Sequence, residues 1–480
     1  MTTQKMKEEI VRYLEDNRDR YHRISDSIWD FAELAYQEIK TSTLHADFME
    51  ERGFRVQRNA GNIPNAIVAE WGFGKPVIGI FGEMDALPDS SQVADAAQFQ
   101  PIKPGASGHA CGHHLLGTVS MAAADSLRHI MTEKGIPGTI RYYGCPAEEY
   151  GSGKVHMARK GLFDDLDIAL SWHPYQYNAL GNKGWLCTLM IRYVFNGVTA
   201  NPAHSAHLGR SALDAAELMG VGTQYLREHV RDSVRIHYAY QNSGGVAANV
   251  IPSKTEVNYY IRATTIEEAM EVKERVDQVA RGAAIMTGTT VNGYLHNALA
   301  NYQANSVVDQ VLMGNLQEIP FPQYSEEEDA YAQMFKLVTP EANIQSFGRV
   351  LTEKVGLRGE DLISELKKPV SDIILQEAPP ANGSTDFGDV SQMVPAGHLL
   401  VSCYTVGAVC HSWQACAQGK SAIAHKGSLY AAKVLAATGL DFLTTPQLVT
   451  DAKREFSEIR NGSEYRCVIP DEIGPHGYEY

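Results

Sequence analysis

Val77-Ile78-Gly79-Ile80-Phe81-Gly82-Glu83-Met84-Asp85 opens on a continuous apolar run and closes on acidic residues. The run shows no alternation, so it fits a strand buried on both faces, as in a parallel sheet, rather than one with a wet face. Thr139-Ile140-Arg141-Tyr142-Tyr143 and Ile168-Ala169-Leu170-Ser171-Trp172 repeat that form. Helical patterns at roughly 114–133 and 154–161 fall between and around them, and this alternation predicts an α/β unit with a mostly parallel sheet flanked by helices. Toward the N-terminus, Ile10, Tyr13, Leu14, Tyr21, Ile24, Ile28 and Trp29 recur at helical spacing, so residues 5–35 should form one or two amphipathic helices.

Beyond Leu186 the rhythm changes. A strand at 186–196, a helix at about 210–229, strands at 234–241 and 254–263, a helix at 266–285 and a strand at 289–295 give the order β-α-β-β-α-β. That split βαβ arrangement makes an independent ferredoxin-like unit with its helices on one face. The expected organisation is a catalytic domain built from 1–185 and 297–480, interrupted by an inserted domain at 186–296. After residue 300 the chain returns to helices and loops, and Ser325-Glu326-Glu327-Glu328-Asp329 reads as a solvated surface loop. A closing αβ-like stretch, 384–440, holds Gly407 to His411 and a helix from Gly427 to Ala437.

Composition narrows the function classes. A chain of 480 residues exceeds one compact core, and 44% hydrophobic with 21% charged residues is ordinary for a globular enzyme. A net charge of -15 argues against nucleic acid and anionic membranes, which need a basic footprint. The N-terminal stretch lacks the apolar core of a signal peptide, and no apolar run reaches membrane-spanning length, so a cytoplasmic location is expected. Seven cysteines at scattered positions are an odd set without a disulfide framework, and most read as buried thiols.

In an open parallel sheet, ligands gather outside the carboxyl ends of the strands. Asp85, Cys111-Gly112-His113-His114, Glu148-Glu149 and His173 all fall at strand ends or helix starts. Thiol, imidazole and carboxylate together suit zinc or manganese. A carboxylate pair can divide labour, one Glu binding metal while its neighbour moves a proton. Two ions roughly 3.5–4 Å apart activate one water and polarise a carbonyl, which is what amide hydrolysis requires. Gly151-Ser152-Gly153-Lys154 is no phosphate loop, because Glu148 stands where the first glycine of that motif belongs. There is no Gly-x-Ser-x-Gly elbow for a serine hydrolase. Cys111 as a nucleophile is an alternative, disfavoured because His113, two residues away on the same turn, is poorly placed to activate it.

Read in order, Gly82-Glu83-Met84-Asp85-Ala86-Leu87-Pro88, Gly108-His109-Ala110-Cys111-Gly112-His113, Pro146-Ala147-Glu148-Glu149 and Trp172-His173-Pro174 give the chain its resemblance to a known family. It resembles the dinuclear metallopeptidases and amidohydrolases related to carboxypeptidase G, hippurate hydrolase and auxin-conjugate hydrolases, over nearly its whole length. The resemblance implies Cys111, His113, Glu149, His173 and His411 as ligands of two divalent ions, manganese or zinc. It further implies Glu148 as general base and Asp85 as a carboxylate that orients a ligand. The inserted unit corresponds to the family's lid and dimerisation domain. Asn249 and Arg262 match positions that hold a substrate carboxylate or complete the neighbouring subunit's site, and a guanidinium suits a carboxylate. Arg210 is a second candidate, against its plainer reading as a surface arginine at a helix start.

The resemblance also implies a substrate. Gly61-Asn62-Ile63-Pro64-Asn65-Ala66, His207-Leu208-Gly209-Arg210-Ser211-Ala212-Leu213-Asp214-Ala215 and Ile423-Ala424-His425-Lys426-Gly427 narrow it to an aroyl-glutamate, p-aminobenzoyl-glutamate first, with other acyl-amino acids or dipeptides as alternatives. One departure stands out: where the family places an oxyanion-stabilising His in the lid, this chain has Asn201, with His204 and His207 nearby as replacements. Losing such a donor costs on the order of 100-fold in rate. A second is His114, where many relatives carry Asp. Two assemblies follow: a homodimer in which each lid completes the other site, or a weak partner subunit in a hetero-oligomer with a related chain.

Overall fold

The computed structural model describes residues 2–477. The chain opens with one long helix, α1 (Thr3–Phe31), whose Ile10, Leu14, Tyr21, Ile24 and Ile28 form a buried stripe, followed by α2 (Ile39–Glu51). Next come β1 (Arg55–Arg58), β2 (Ile67–Phe73), β3 (Val77–Glu83), α3 (His113–Lys134), β4 (Gly138–Cys145), α4 (Gly153–Arg159), β5 (Ile168–Tyr175) and β6 (Asn178–Leu180). The smaller unit follows as β7 (Cys187–Asn196), α5 (Ala212–Leu226), β8 (Arg235–Asn242), β9 (Lys254–Ala263), α6 (Ile266–Thr287) and β10 (Thr290–Leu299). The chain then runs through α7 (Ser306–Glu318), α8 (Glu326–Leu337), α9 (Glu341–Lys354), α10 (Gly359–Lys367), β11 (Ile374–Leu375), α11 (Phe387–Ser391) and β12 (Ala396–Ser402). It closes with α12 (Trp413–Gln418), α13 (Ala422–Thr444) and α14 (Pro446–Arg460).

Eight strands form one sheet in the order β1-β2-β4-β3-β5-β12-β6-β11. Its centre is parallel, with β4, β3, β5 and β12 running together, while β2 and β6 join antiparallel. β3 and β12 are buried at every position, which is why they are apolar runs without alternation. Helices α1, α3 and α13 pack against one another on one face and share the largest hydrophobic cluster with the sheet. On the other face Phe81 stacks on Tyr143 at 4.7 Å and meets Phe163 and Phe387 edge-on at 5.2 and 5.3 Å. The second sheet is antiparallel, ordered β10-β7-β9-β8, with α5 and α6 packed together over it. The β-α-β-β-α-β order read from the sequence is the order observed.

One expectation needs correction. Ser325 to Asp329 is not a loop: Ser325 caps α8, its side chain accepting from Glu328 N while the Glu328 carboxylate accepts from Ser325 N. The acidic residues sit in the first turn, where the helix dipole favours them. Of the one or two helices expected over residues 5–35, one is observed, ended by Ala32 in the left-handed region. Among the described residues no helix is long and apolar enough to cross a membrane.

Candidate metal centre

Parallel strands deliver the candidate residues to one rim. β3 ends at Glu83 with Asp85 two residues on, β4 ends at Cys145 before Glu148 and Glu149, β5 carries His173, and α3 begins at His113. Gly112 caps α3 at φ 86°, and a Cβ there would strike Tyr404 Oη and lie 2.6 Å from Pro174 Cγ, so the Cys-Gly-His turn needs glycine. Ala147 at φ 57° and His411 at φ 64° are also left-handed, a conformation that costs a side-chain-bearing residue about 1 kcal/mol or more. Both turns are pinned: Ala147 N donates to Glu38 Oε1 at 2.8 Å and His411 N to Ala110 O at 2.8 Å. Strain held beside polar residues in this way is characteristic of functional sites.

His113 Nδ1 lies 3.0 Å from Asp85 Oδ1, which directs Nε2 to the other side, 3.1 Å from Glu83 Oε2 and 3.9 Å from both Glu148 Oε2 and Glu149 Oε1. His173 turns Nδ1 to Pro174 O at 2.8 Å and Nε2 to Cys111 Sγ at 3.3 Å. His411 Nε2 is 3.4 Å from Glu149 Oε1. Donor atoms of Cys111, His113 and His173 therefore lie within 4.8 Å of one another, as do those of Cys111, Glu149 and His411, with Cys111 common to both groups. Glu83, His113 and Glu148 form a third such group.

Charge follows from this crowding. Burial and then the carboxylates of Glu83 and Glu149 push the Glu148 pKa well above the usual carboxylate range. Burial opposes charge on Glu149 too, but the close approach of His411 and the charge of His113 outweigh it and lower its pKa. Burial likewise opposes a proton on His113, and Glu83 and Asp85 overcome it to hold the ring well above its ordinary value. Cys111 and Cys410 share a hydrogen bond that raises the first thiol and lowers the second. Four carboxylates thus surround one imidazole, and Lys154 Nζ reaches one of them, Glu83 Oε1, at 2.7 Å.

The donor set fits a divalent ion. Among the described residues His113 Nε2 and Glu149 Oε1 are buried and lack a well-directed hydrogen bond, with the charged Glu83 Oε2 and the His411 ring facing them at 3.1 and 3.4 Å. A cation facing these atoms would satisfy them and balance the surplus of carboxylates. A cavity of about 580 Å³ opens over the cluster. Its walls include Cys111, Glu148, Glu149, His173, Cys410 and His411, then Met190, Tyr260 and Arg262 of the four-stranded sheet, then Phe347 and Val350 of α9.

Not every sequence candidate joins this cavity. Arg262 does, half-buried, with Nε buried and making no hydrogen bond among the described residues. Asn201, His204, His207, Arg210 and Asn249 are exposed and are not among its lining residues. Asn201 Oδ1 accepts from Ala203 N and His204 N, and Arg210 Nη1 donates to His207 O and Gly209 O, so both serve their own loop in this chain. Sequence reading missed Glu83, Cys410, Lys154 and Asp386. Glu83 was detectable, two residues before Asp85 and so on the same side of an extended segment. Lys154 was not: it is fully buried between Glu83 and Asp386, a partner 232 residues away.

A family model described as "Peptidase family M20/M25/M40" matches residues 79–435. One of the subunits of p-aminobenzoyl-glutamate hydrolase of Escherichia coli strain K12 is 39% identical over 98% of this chain and 99% of its own length. The Xaa-Arg dipeptidase of Mus musculus is 30% identical over 94% of this chain and 92% of its own. Among solved structures, a dinuclear metal-binding peptidase of the M20 family from Bacillus subtilis shares the fold, with a TM-score of 0.53, 18% identity, and coverage of 89% of this chain and 99% of that one.

Proposed function

The chain belongs to peptidase family M20/M25/M40, and from that premise we propose that it is a cytoplasmic, metal-dependent amidohydrolase. It cleaves the amide bond of an acyl- or aroyl-amino acid, p-aminobenzoyl-glutamate first, to release p-aminobenzoate and glutamate. The observation that carries the reading is the pair of donor groups sharing Cys111 beneath a cavity that also exposes a free carboxylate, Glu148. In this reading Cys111, His113, Glu149, His173 and His411 would hold two divalent ions, zinc or manganese. Bound there, the ions supply Lewis-acid polarisation of the scissile carbonyl and a water of lowered pKa.

The chain's own residues do the rest. Glu148 Oε2 takes the proton of the attacking water and returns it to the leaving amine, a task suited to a carboxyl whose pKa burial and the neighbouring carboxylates raise. Asp85 holds His113 and the Glu149 backbone in place. Arg262, whose buried Nε has no hydrogen-bond partner among the described residues, binds the carboxylate of the amino-acid half. The 186–296 unit acts as lid and dimerisation domain: on α5, Leu218, Val221 and Tyr225 form an exposed apolar stripe, with Tyr225 72% exposed. A partner docked there could bring the exposed Asn249, His204 or His207 to the other subunit's cavity.

The test is glutamate release from p-aminobenzoyl-glutamate by the purified chain, after metal removal and after adding back manganese or zinc. Release restored by either ion is expected; silence with both, alongside turnover of another acyl-amino acid, would reassign the substrate. A second reading, that of a weak subunit working with a related chain, is favoured by Asn201, whose side chain caps its own loop. Activity appearing when that chain is added, and only then, would establish it.

A further inference from the structure

The cavity has a polar feature that this reaction leaves unused. His398, on β12, lines it, is 2% exposed, and makes no hydrogen bond through either ring nitrogen among the described residues. Its neighbours on the strand are Leu399, Leu400 and Val401, so an aliphatic side chain would have suited the position. An unpaired buried imidazole costs about 1–3 kcal/mol. The ring is held in place: a Cβ on Gly181 would strike His398 Cδ2, and the rings of Trp185, Phe387 and Tyr302 stand 5.5, 5.8 and 6.3 Å from it. Burial, assisted by the charge of His173, pushes its pKa down to about 3, so the ring is neutral and offers one donor and one acceptor.

We propose that His398 is a substrate-binding residue that hydrogen-bonds a neutral polar group on the acyl half of the substrate, an aromatic amine being the chemical class it fits. The inference rests on the amidohydrolase reading. The two walls of the cavity differ in chemistry. Arg262, on the four-stranded sheet, presents a guanidinium suited to a carboxylate. His398, on the eight-stranded sheet, sits beside the rings of Trp185, Phe387 and Tyr302, with Leu400 two residues on along β12, an apolar and aromatic wall where a carboxylate would lose its hydration. The amino-acid half therefore belongs with Arg262 and the aryl half with His398. An aryl group lacking the amine leaves the imidazole unpaired, and a site built around a buried polar group rejects such analogues more strongly than an apolar pocket does.

The experiment compares kcat/KM for p-aminobenzoyl-glutamate and benzoyl-glutamate in the wild-type chain, His398→Leu and His398→Gln. The wild type is expected to favour the amine by about 10-fold or more. His398→Leu should bring the ratio toward 1, and His398→Gln, which keeps a donor and an acceptor, should restore part of it. A wild-type ratio near 1, or one that His398→Leu leaves unchanged, overturns the proposal. If His398→Leu does not fold, p-methylbenzoyl-glutamate with the wild type decides: equal turnover of methyl and amine substrates means that the wall reads size alone, and the proposal falls. Turnover of neither glutamate conjugate defeats the glutamate-conjugate reading instead. Binding of p-aminobenzoate against benzoate, by calorimetry, then reads His398 directly: equal affinities overturn the proposal, and a preference removed by His398→Leu supports it.

Discussion

Asp85 holds two candidate ligands with one carboxylate, Oδ1 toward His113 Nδ1 and Oδ2 accepting from Glu149 N at 2.9 Å. An amide cannot do both, because its nitrogen would face one of two N–H donors. Asp85→Asn should therefore lower divalent-ion affinity by about 10–100-fold, the usual cost of losing such a support, with the fold retained. Competition with a coloured chelator measures this, and unchanged affinity would remove Asp85 from the role. His45 supplies a pH effect away from the cavity. It is fully buried, its Nδ1 is 2.8 Å from Tyr142 Oη, and burial pushes its pKa down to about 3. A depressed pKa means that the stability tied to the neutral ring is complete above the ordinary value of 6.5. It is lost as pH falls toward 3, at about 1.4 kcal/mol per unit. His45→Phe lacks that loss, so the gap in urea stability between wild type and variant should narrow from about pH 7 to about pH 5. A constant gap would show that His45 is not the titrating group.

Among the elements, α4 is fastened to β3 and to the start of α11 by one side chain. Lys154 Nζ reaches Glu83 and Asp386, and Lys154 N donates to Asp386 Oδ2 at 2.8 Å. Lys154→Met would leave two buried carboxylates facing each other's charge, and about 3–5 kcal/mol of stability should be lost. Urea unfolding checks this, and a loss under about 1 kcal/mol would mean that solvent reaches the triad. The same elements show what a linear reading can and cannot recover. β3, β4 and β5 were legible because strands buried on both faces leave continuous apolar runs, and the smaller unit because its helices and strands are each long and periodic. β1, β6 and β11 were not, since strands of two to four residues carry too few positions to show a period. α8 hid behind its own first turn, because four acidic residues at a capped start look like a solvated loop until the Ser325 to Glu328 spacing is weighed. Glu149 and His173 were legible as candidates at strand ends and Cys111 and His113 at a helix start, whereas His411 was found by resemblance and His398 by neither route. A histidine inside a strand gives no sign that its nitrogens lack partners; only the packing around it does.

For the whole molecule, the four-stranded unit turns an apolar helix face outward while its inner face covers the sheet. On the proposed dimer, Val221→Asp together with Tyr225→Asp should give a monomer by light scattering and lower turnover. One and the same mass for wild type and variant would place the interface elsewhere. The larger sheet carries a different consequence, one of timing. β12 lies inside it, between β5 and β6, yet it is the last strand in the chain. While the polypeptide leaves the ribosome, β5 can pair with β3 but waits with its other edge open until residues 396–402 emerge. That edge carries Ile168, Leu170 and Trp172, the kind of apolar, unpaired strand that recruits other chains. Synthesis stalled before β12 would yield a sticky half-sheet in need of a chaperone, so the strand that closes the fold also decides when the newborn chain becomes safe.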